Sequence, residues 1–111
     1  MVLVGHSFGG AVVVTAGALH DHVAGVVALA PQTYGARLAG QLAPRPLLVV
    51  HGTADTRLPY TCGVQIYEWA QEPKQLVLFE GADHRLDECA AELDQLLTLW
   101  IPATLRSPGG T

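Results

Sequence analysis

Hydrophobic and polar positions follow two alternating regimes along the chain. Residues 2–4, 23–29, 46–50 and 75–79 are short apolar runs rich in branched side chains. Each stops at a glycine, a proline or a His-Gly pair, so all four are predicted to be strands. Longer segments separate them. Residues 8–20 contain Ala11-Val12-Val13-Val14-Thr15-Ala16, which local propensity alone would make a strand. The Gly9-Gly10 pair before it resembles a strand-to-helix junction, so a helix is predicted, and its apolar character on most faces predicts burial on most faces. A short helix is expected within residues 34–43. Another is expected over residues 59–69, where Tyr60, Val64 and Tyr67 share a face. The last is expected over residues 86–100, with Ala90, Leu93, Leu97 and Trp100 turned inward and Glu88, Glu92, Asp94 and Gln95 turned outward, stopping before Pro102.

Strands and helical segments thus alternate four times. That order predicts an α/β fold: a mostly parallel four-stranded sheet with right-handed crossovers, flanked by helices. Residues 1–101 form one domain in this reading, and residues 102–111 a flexible Pro- and Gly-rich tail. Ligand sites in such sheets lie beyond the carboxyl ends of the strands. This directs attention to His6-Ser7, Pro31-Gln32, Thr53 to Asp55, and Asp83-His84.

Composition narrows the function classes. Half of the 111 residues are hydrophobic, 14% are charged, and the formal net charge is -4. This is the composition of a folded domain. The six basic residues are spread from Arg37 to Arg106 without a cluster, which argues against nucleic-acid binding. Cys62 and Cys89 show no metal spacing and read as two inert thiols. His20-Asp21-His22 reads as a solvent-facing turn rather than a metal site, and no cofactor is implied. With no transmembrane-length apolar run and no leader pattern, the chain is read as cytoplasmic and not membrane-bound.

Gly5-His6-Ser7-Phe8-Gly9 fits G-x-S-x-G. A serine on a sharp strand-to-helix turn has strained backbone angles, and glycines two before and two after it would remove clashing side chains. The helix starting near Phe8 would point its positive end at the hydroxyl. Serine needs a base to act as a nucleophile at neutral pH, and the base needs an orienting acid. His84 follows the fourth strand and Asp55 the third, giving the chain order Ser, Asp, His. Asp83 is a rival acid, but it adjoins His84 and adjacent side chains diverge, so it is read as a cap or loop anchor for the last helix. His51 is read as a histidine packed behind the site, and His6 as packing beside the sheet.

At these residues the sequence resembles the carboxy-terminal half of the α/β-hydrolase superfamily. Val4-Gly5-His6-Ser7-Phe8-Gly9-Gly10 resembles the nucleophile elbow of esterases. Leu48-Val49-Val50-His51-Gly52-Thr53-Ala54-Asp55, with the following Leu58-Pro59, resembles the acid-bearing segment of dienelactone-hydrolase-like and serine-aminopeptidase-like members. Phe79-Glu80-Gly81-Ala82-Asp83-His84 resembles their histidine segment. The resemblance implies a serine hydrolase cleaving short-chain carboxylic esters, with Ser7 as nucleophile, His84 as base and Asp55 as acid. The oxyanion donors would be the backbone N–H groups of Phe8 and Gly9. Peptidase or dienelactone-type hydrolysis uses the same triad, and a non-catalytic assembly module is the alternative of a different class. About four strands that precede the elbow in the family have no counterpart here, and one of their loops usually supplies a second oxyanion donor. The segment 31–45, which carries a lid in many relatives, is short, so an open, shallow site is expected. The apolar strand at residues 2–4 and the helix after it carry little to blunt an edge or a face, which predicts a homo-oligomer.

Overall fold

The computed structural model describes residues 1–106; the expected tail lies outside the described residues from 107 onward. Four strands form one sheet: β1 (Val2–His6), β2 (Gly25–Leu29), β3 (Leu47–Gly52) and β4 (Lys74–Phe79). All neighbours are parallel and the spatial order is the chain order. Successive right-handed crossovers in one direction place every connection on the same face. That face carries helix α1 (Phe8–Leu19), a 3-10 turn at Arg37–Gln41, and helix α2 (Thr61–Trp69). Helix α3 (Ala90–Arg106) follows the last strand and covers the opposite face.

The sheet divides the core in two. Val26, Ala28, Leu47 and Val49 pack towards α1 and α2, while Val27, Leu48 and Val50 pack towards α3. Both central strands are therefore buried on both faces, which is why they read as continuous apolar runs rather than alternating ones. Trp69 packs against the first half of the core and Trp100 against the second.

Several local expectations are corrected. Helix α1 is not buried on most faces: Gly10, Ala11, Val14 and Gly17 form its buried side, while Val12 and Leu19 are exposed. Gly10, Ala11 and Gly17 let it lie close to the sheet, while Phe8, Val12 and Leu19 point away. Its C-terminus is held by Arg45, whose Nη1 donates to the carbonyls of Gly17 and His20 at 2.6 and 2.8 Å. This satisfies acceptors that a helix end leaves free. Segment 34–43 does hold a short helix, of 3-10 type, at Arg37–Gln41. Helix α2 starts at Thr61 and buries Gly63, Ile66 and the following Ala70; Tyr60 stays partly exposed. Helix α3 does not stop before Pro102 but runs to Arg106, with Ala90 exposed and Cys89 taking the inward position. A side chain at Gly25 would lie 2.8 Å from Thr104 Cγ2 and 3.2 Å from Trp100 Cη2. The bare start of β2 therefore seats both residues, and this packing carries the helix past the hydrogen bond that Pro102 lacks.

Candidate active site

Ser7 sits between β1 and α1 with φ 61° and ψ -121°. This sparsely populated conformation costs on the order of 1–3 kcal/mol and persists only where the surroundings enforce it. Its amide donates to the Leu29 carbonyl at 2.8 Å, and its carbonyl accepts from Gly10 N at 3.0 Å. A Cβ at Gly5 would collide with the Gly9 carbonyl, so the first glycine of the motif is required. The second is not: a Cβ at Gly9 meets nothing, whereas one at Gly10 would lie 2.9 Å from Pro31 Cβ. The clearance expected of Gly9 belongs to Gly10, because the first turn of α1 leans on the loop after β2.

The amides of Phe8 and Gly9 open α1 and donate to no backbone carbonyl among the described residues. They are the unpaired donors that every helix start presents, at its positive end.

The other two predicted residues come from loops that are laced together. Gly52 cannot carry a Cβ because Ala82 approaches too closely. Thr53 N bonds the Phe79 carbonyl at 3.1 Å, Ala54 N bonds the Ala82 carbonyl at 3.0 Å, and Gly81 N bonds Thr53 Oγ1 at 2.9 Å. Asp83 accepts from Thr56 N at 2.8 Å, from Thr56 Oγ1 at 2.9 Å and from His84 N at 2.7 Å. Asp83 is thus the loop anchor of the two alternatives, joining the loop after β3 to the loop after β4. These donors hold its exposed carboxyl below the usual carboxylate range.

Asp55, His84 and Ser7 meet as a result. His84 Nδ1 lies 2.9 Å from Asp55 Oδ2, and His84 Nε2 lies 2.9 Å from Ser7 Oγ. In a neutral imidazole, Nδ1–H donating to Asp55 and Nε2 accepting from the serine hydroxyl satisfies both contacts. The His84 ring touches Asp55, not Asp83. Asp55 Oδ1 accepts from the amides of Arg57 and Leu58, each at 2.8 Å. Burial pushes the Asp55 carboxyl up, but the amide of Leu58, the ring of His84 and the amide of Arg57 outweigh it and leave it below its ordinary value. The carboxylate stays ionised while fully enclosed.

Two histidines have partners that the sequence does not reveal, although His51 lies behind the site as expected. His6 Nε2 lies 2.7 Å from the His84 carbonyl oxygen, and the two rings sit 4.9 Å apart. His51 is fully buried behind Asp55. Cys62 and Cys89 are free thiols, and burial pushes Cys89 up. His20, Asp21 and His22 are exposed. Among the described residues no group of side chains could hold a metal ion, and no helix is long and apolar enough to cross a membrane.

Ser7 and His84 open into a cleft of about 470 Å³. Its other walls include His6, Thr56, Arg57 and Arg85, and no apolar side chain lines it. A groove of about 820 Å³ runs between α1, the 3-10 turn and α2, and it contains none of the predicted site residues.

No family model matches the chain. It is 36% identical to the uncharacterized protein YfhR of Escherichia coli (strain K12) over 50 residues, which make up 45% of this chain and 18% of YfhR. The esterase domain of a Rhodothermus marinus protein superposes with a TM-score of 0.79 at 24% identity, covering 93% of this chain and 59% of that one. The dienelactone hydrolase from Anabaena variabilis superposes with a TM-score of 0.79 at 25% identity, covering 91% and 48%. The chain therefore spans about half to three-fifths of these solved structures, and its matched segment under a fifth of YfhR. Its four parallel strands and flanking helices have an α/β-hydrolase-like fold that matches part of each of these solved chains.

Proposed function

We propose that this chain carries the acyl-transfer centre of a serine hydrolase that cleaves short-chain carboxylic esters. The observation behind this reading is the unbroken run of contacts from Asp55 through His84 to Ser7, with both links at 2.9 Å. Such distances meet the reach required of a nucleophile and its base. Ser7 Oγ attacks the ester carbonyl as His84 takes its proton. The carbonyl oxygen, now negative, lies against the amides of Phe8 and Gly9. His84 returns the proton to the departing alcohol, leaving an acyl group on Ser7. A water molecule, deprotonated by His84, then releases the acid and restores Ser7. Asp55 holds the ring tautomer and balances the imidazolium.

A fluorophosphonate probe tests this reading. The expected result is one label per chain, lost in Ser7→Ala and strongly slowed in His84→Ala. Unlabelled wild-type chain with an intact fold would overturn it.

The reading extends to assembly. Phe8, Val12 and Leu19 on the outer side of α1, with Val4 on β1, are exposed apolar side chains along one edge of the sheet. We propose that a second copy of this chain covers them. Light scattering on a size-exclusion column at micromolar concentration would show a dimer, and a monodisperse monomer would refute this part alone.

A further inference from the structure

We infer that His51 is a positioning residue, which aims Asp55 at His84 by holding both the Asp55 carboxylate and the turn that cradles it. The inference rests on the proposed role of Asp55 and adds a residue that touches no reacting atom.

His51 is the next-to-last residue of β3, one turn of chain before Asp55, and its ring is completely enclosed. Nε2 lies 2.8 Å from the Leu58 carbonyl oxygen and 3.2 Å from Asp55 Oδ2. Nδ1 has no partner, and a Cβ on Gly63 of α2 would lie 2.8 Å from it. Helix α2 therefore presses its bare glycine on this nitrogen. A proton on Nδ1 would be a buried donor without an acceptor, which is costly, so the ring proton belongs on Nε2. Nε2–H then donates to the Leu58 carbonyl and lies close beside Asp55 Oδ2. Burial keeps His51 below its ordinary pKa, against the pull of Leu58 and Asp55, so it meets Asp55 as a neutral dipole.

This arrangement acts on the carboxylate twice. Directly, the Nε2–H dipole lies 3.2 Å from Oδ2, the oxygen that His84 Nδ1 meets at 2.9 Å. Indirectly, it fixes the peptide of Leu58, whose amide is one of two donors to Oδ1 at 2.8 Å. Without His51, Oδ2 loses a neighbouring dipole and the Asp55 turn loses its inner tether. A residue that only filled space would do neither.

The test is the low-field proton resonance of the His84 Nδ1–H···Asp55 contact, read with the fluorophosphonate labelling rate. In His51→Leu the resonance moves upfield or broadens away, and labelling slows about threefold to tenfold, the range for losing one neutral hydrogen bond. His51→Gln, whose Nε2 amide can reach the same two oxygens, restores both. An unchanged resonance and rate in a folded His51→Leu would overturn the inference, as would no rescue by His51→Gln. Should His51→Leu fail to fold, the nitrogen spectrum of wild-type His51 decides instead. A neutral ring protonated on Nε2, with a resonance that responds to Asp55→Asn, supports the inference; a ring protonated on Nδ1, or one blind to Asp55→Asn, overturns it. These spectra do not depend on turnover, so absent labelling of wild-type Ser7 would count against the hydrolase reading and leave the positioning of Asp55 to the spectra.

Discussion

His6 reaches out of the turn that carries Ser7 and bonds the carbonyl oxygen of His84 at 2.7 Å, with its ring tilted over the His84 ring. The residue beside the proposed nucleophile thereby holds the backbone of the residue proposed as its base. Replacing it removes one neutral hydrogen bond and one ring contact, together about 1 kcal/mol. His6→Ala is expected to slow fluorophosphonate labelling of Ser7 by about threefold to tenfold while the fold persists by circular dichroism. Unchanged labelling would mean that His84 is held by the Asp83 and Asp55 contacts alone.

The two glycines after Ser7 should respond in opposite directions. Gly9→Ala places a methyl in open space and lowers the backbone entropy of the unfolded chain, so it should stabilise by about 0.5 kcal/mol. Gly10→Ala puts a Cβ 2.9 Å from Pro31 Cβ and should cost about 1–3 kcal/mol as an overpacked contact. Urea denaturation of both variants measures the difference. Equal effects would show that the loop after β2 yields freely.

Much of this site is legible in the sequence, for reasons particular to each residue. Ser7, Asp55 and His84 each follow an apolar run, and parallel strands bring their carboxyl ends to one edge of the sheet. Chain order and spacing then suffice to bring them together. The roles of His6, His51 and Asp83 are less legible, because each acts on a loop distant in sequence or on a backbone carbonyl. Asp83 reads as a cap or an anchor until Thr56 is seen to face it at 2.8 Å. Gly10 is hidden behind Gly9, since a motif records spacing and not which neighbour lies in the way. The end of α3 is missed because the rule that proline stops a helix is local, while Thr104 and Trp100 meet Gly25 from the other end of the chain.

Acid should destabilise the fold in two steps of the same sign. An unfolded His51 takes up a proton near pH 6.5, whereas burial keeps the folded ring neutral to lower pH. Through that window the unfolded state binds more protons, so stability falls as pH falls. Asp55 and Asp83 are also held below their ordinary values, so their contribution is present above about pH 4 and lost as pH drops through their lowered folded values. The urea midpoint should therefore decline from about pH 7 to 5 and again below about pH 4. His51→Gln should flatten the first decline, and Asp83→Asn should reduce the second. A wild-type midpoint that stays level from pH 7 to 5 would contradict the burial of an uncharged His51.

The walls of the cleft bear on which esters are taken. His6, Thr56, Arg57 and Arg85 surround Ser7 and His84, and no apolar side chain lines the space of about 470 Å³. Each methylene gains about 0.8 kcal/mol only when it is fully buried against apolar surface, and this cleft is walled by polar and charged side chains. Catalytic efficiency on nitrophenyl esters should therefore be highest for acetate or butyrate and should not climb with further carbons. Apolar surface does exist nearby: Phe8, Val12, Leu19 and Tyr34 line a separate groove along the outer side of α1. Phe8 borders that groove but is not among the residues lining the cleft. An acyl chain would have to pass Phe8 to reach it. A steady rise in efficiency beyond about eight carbons would refute the short-chain reading, and its loss in Val12→Ser would show that the chain had crossed Phe8 into the groove.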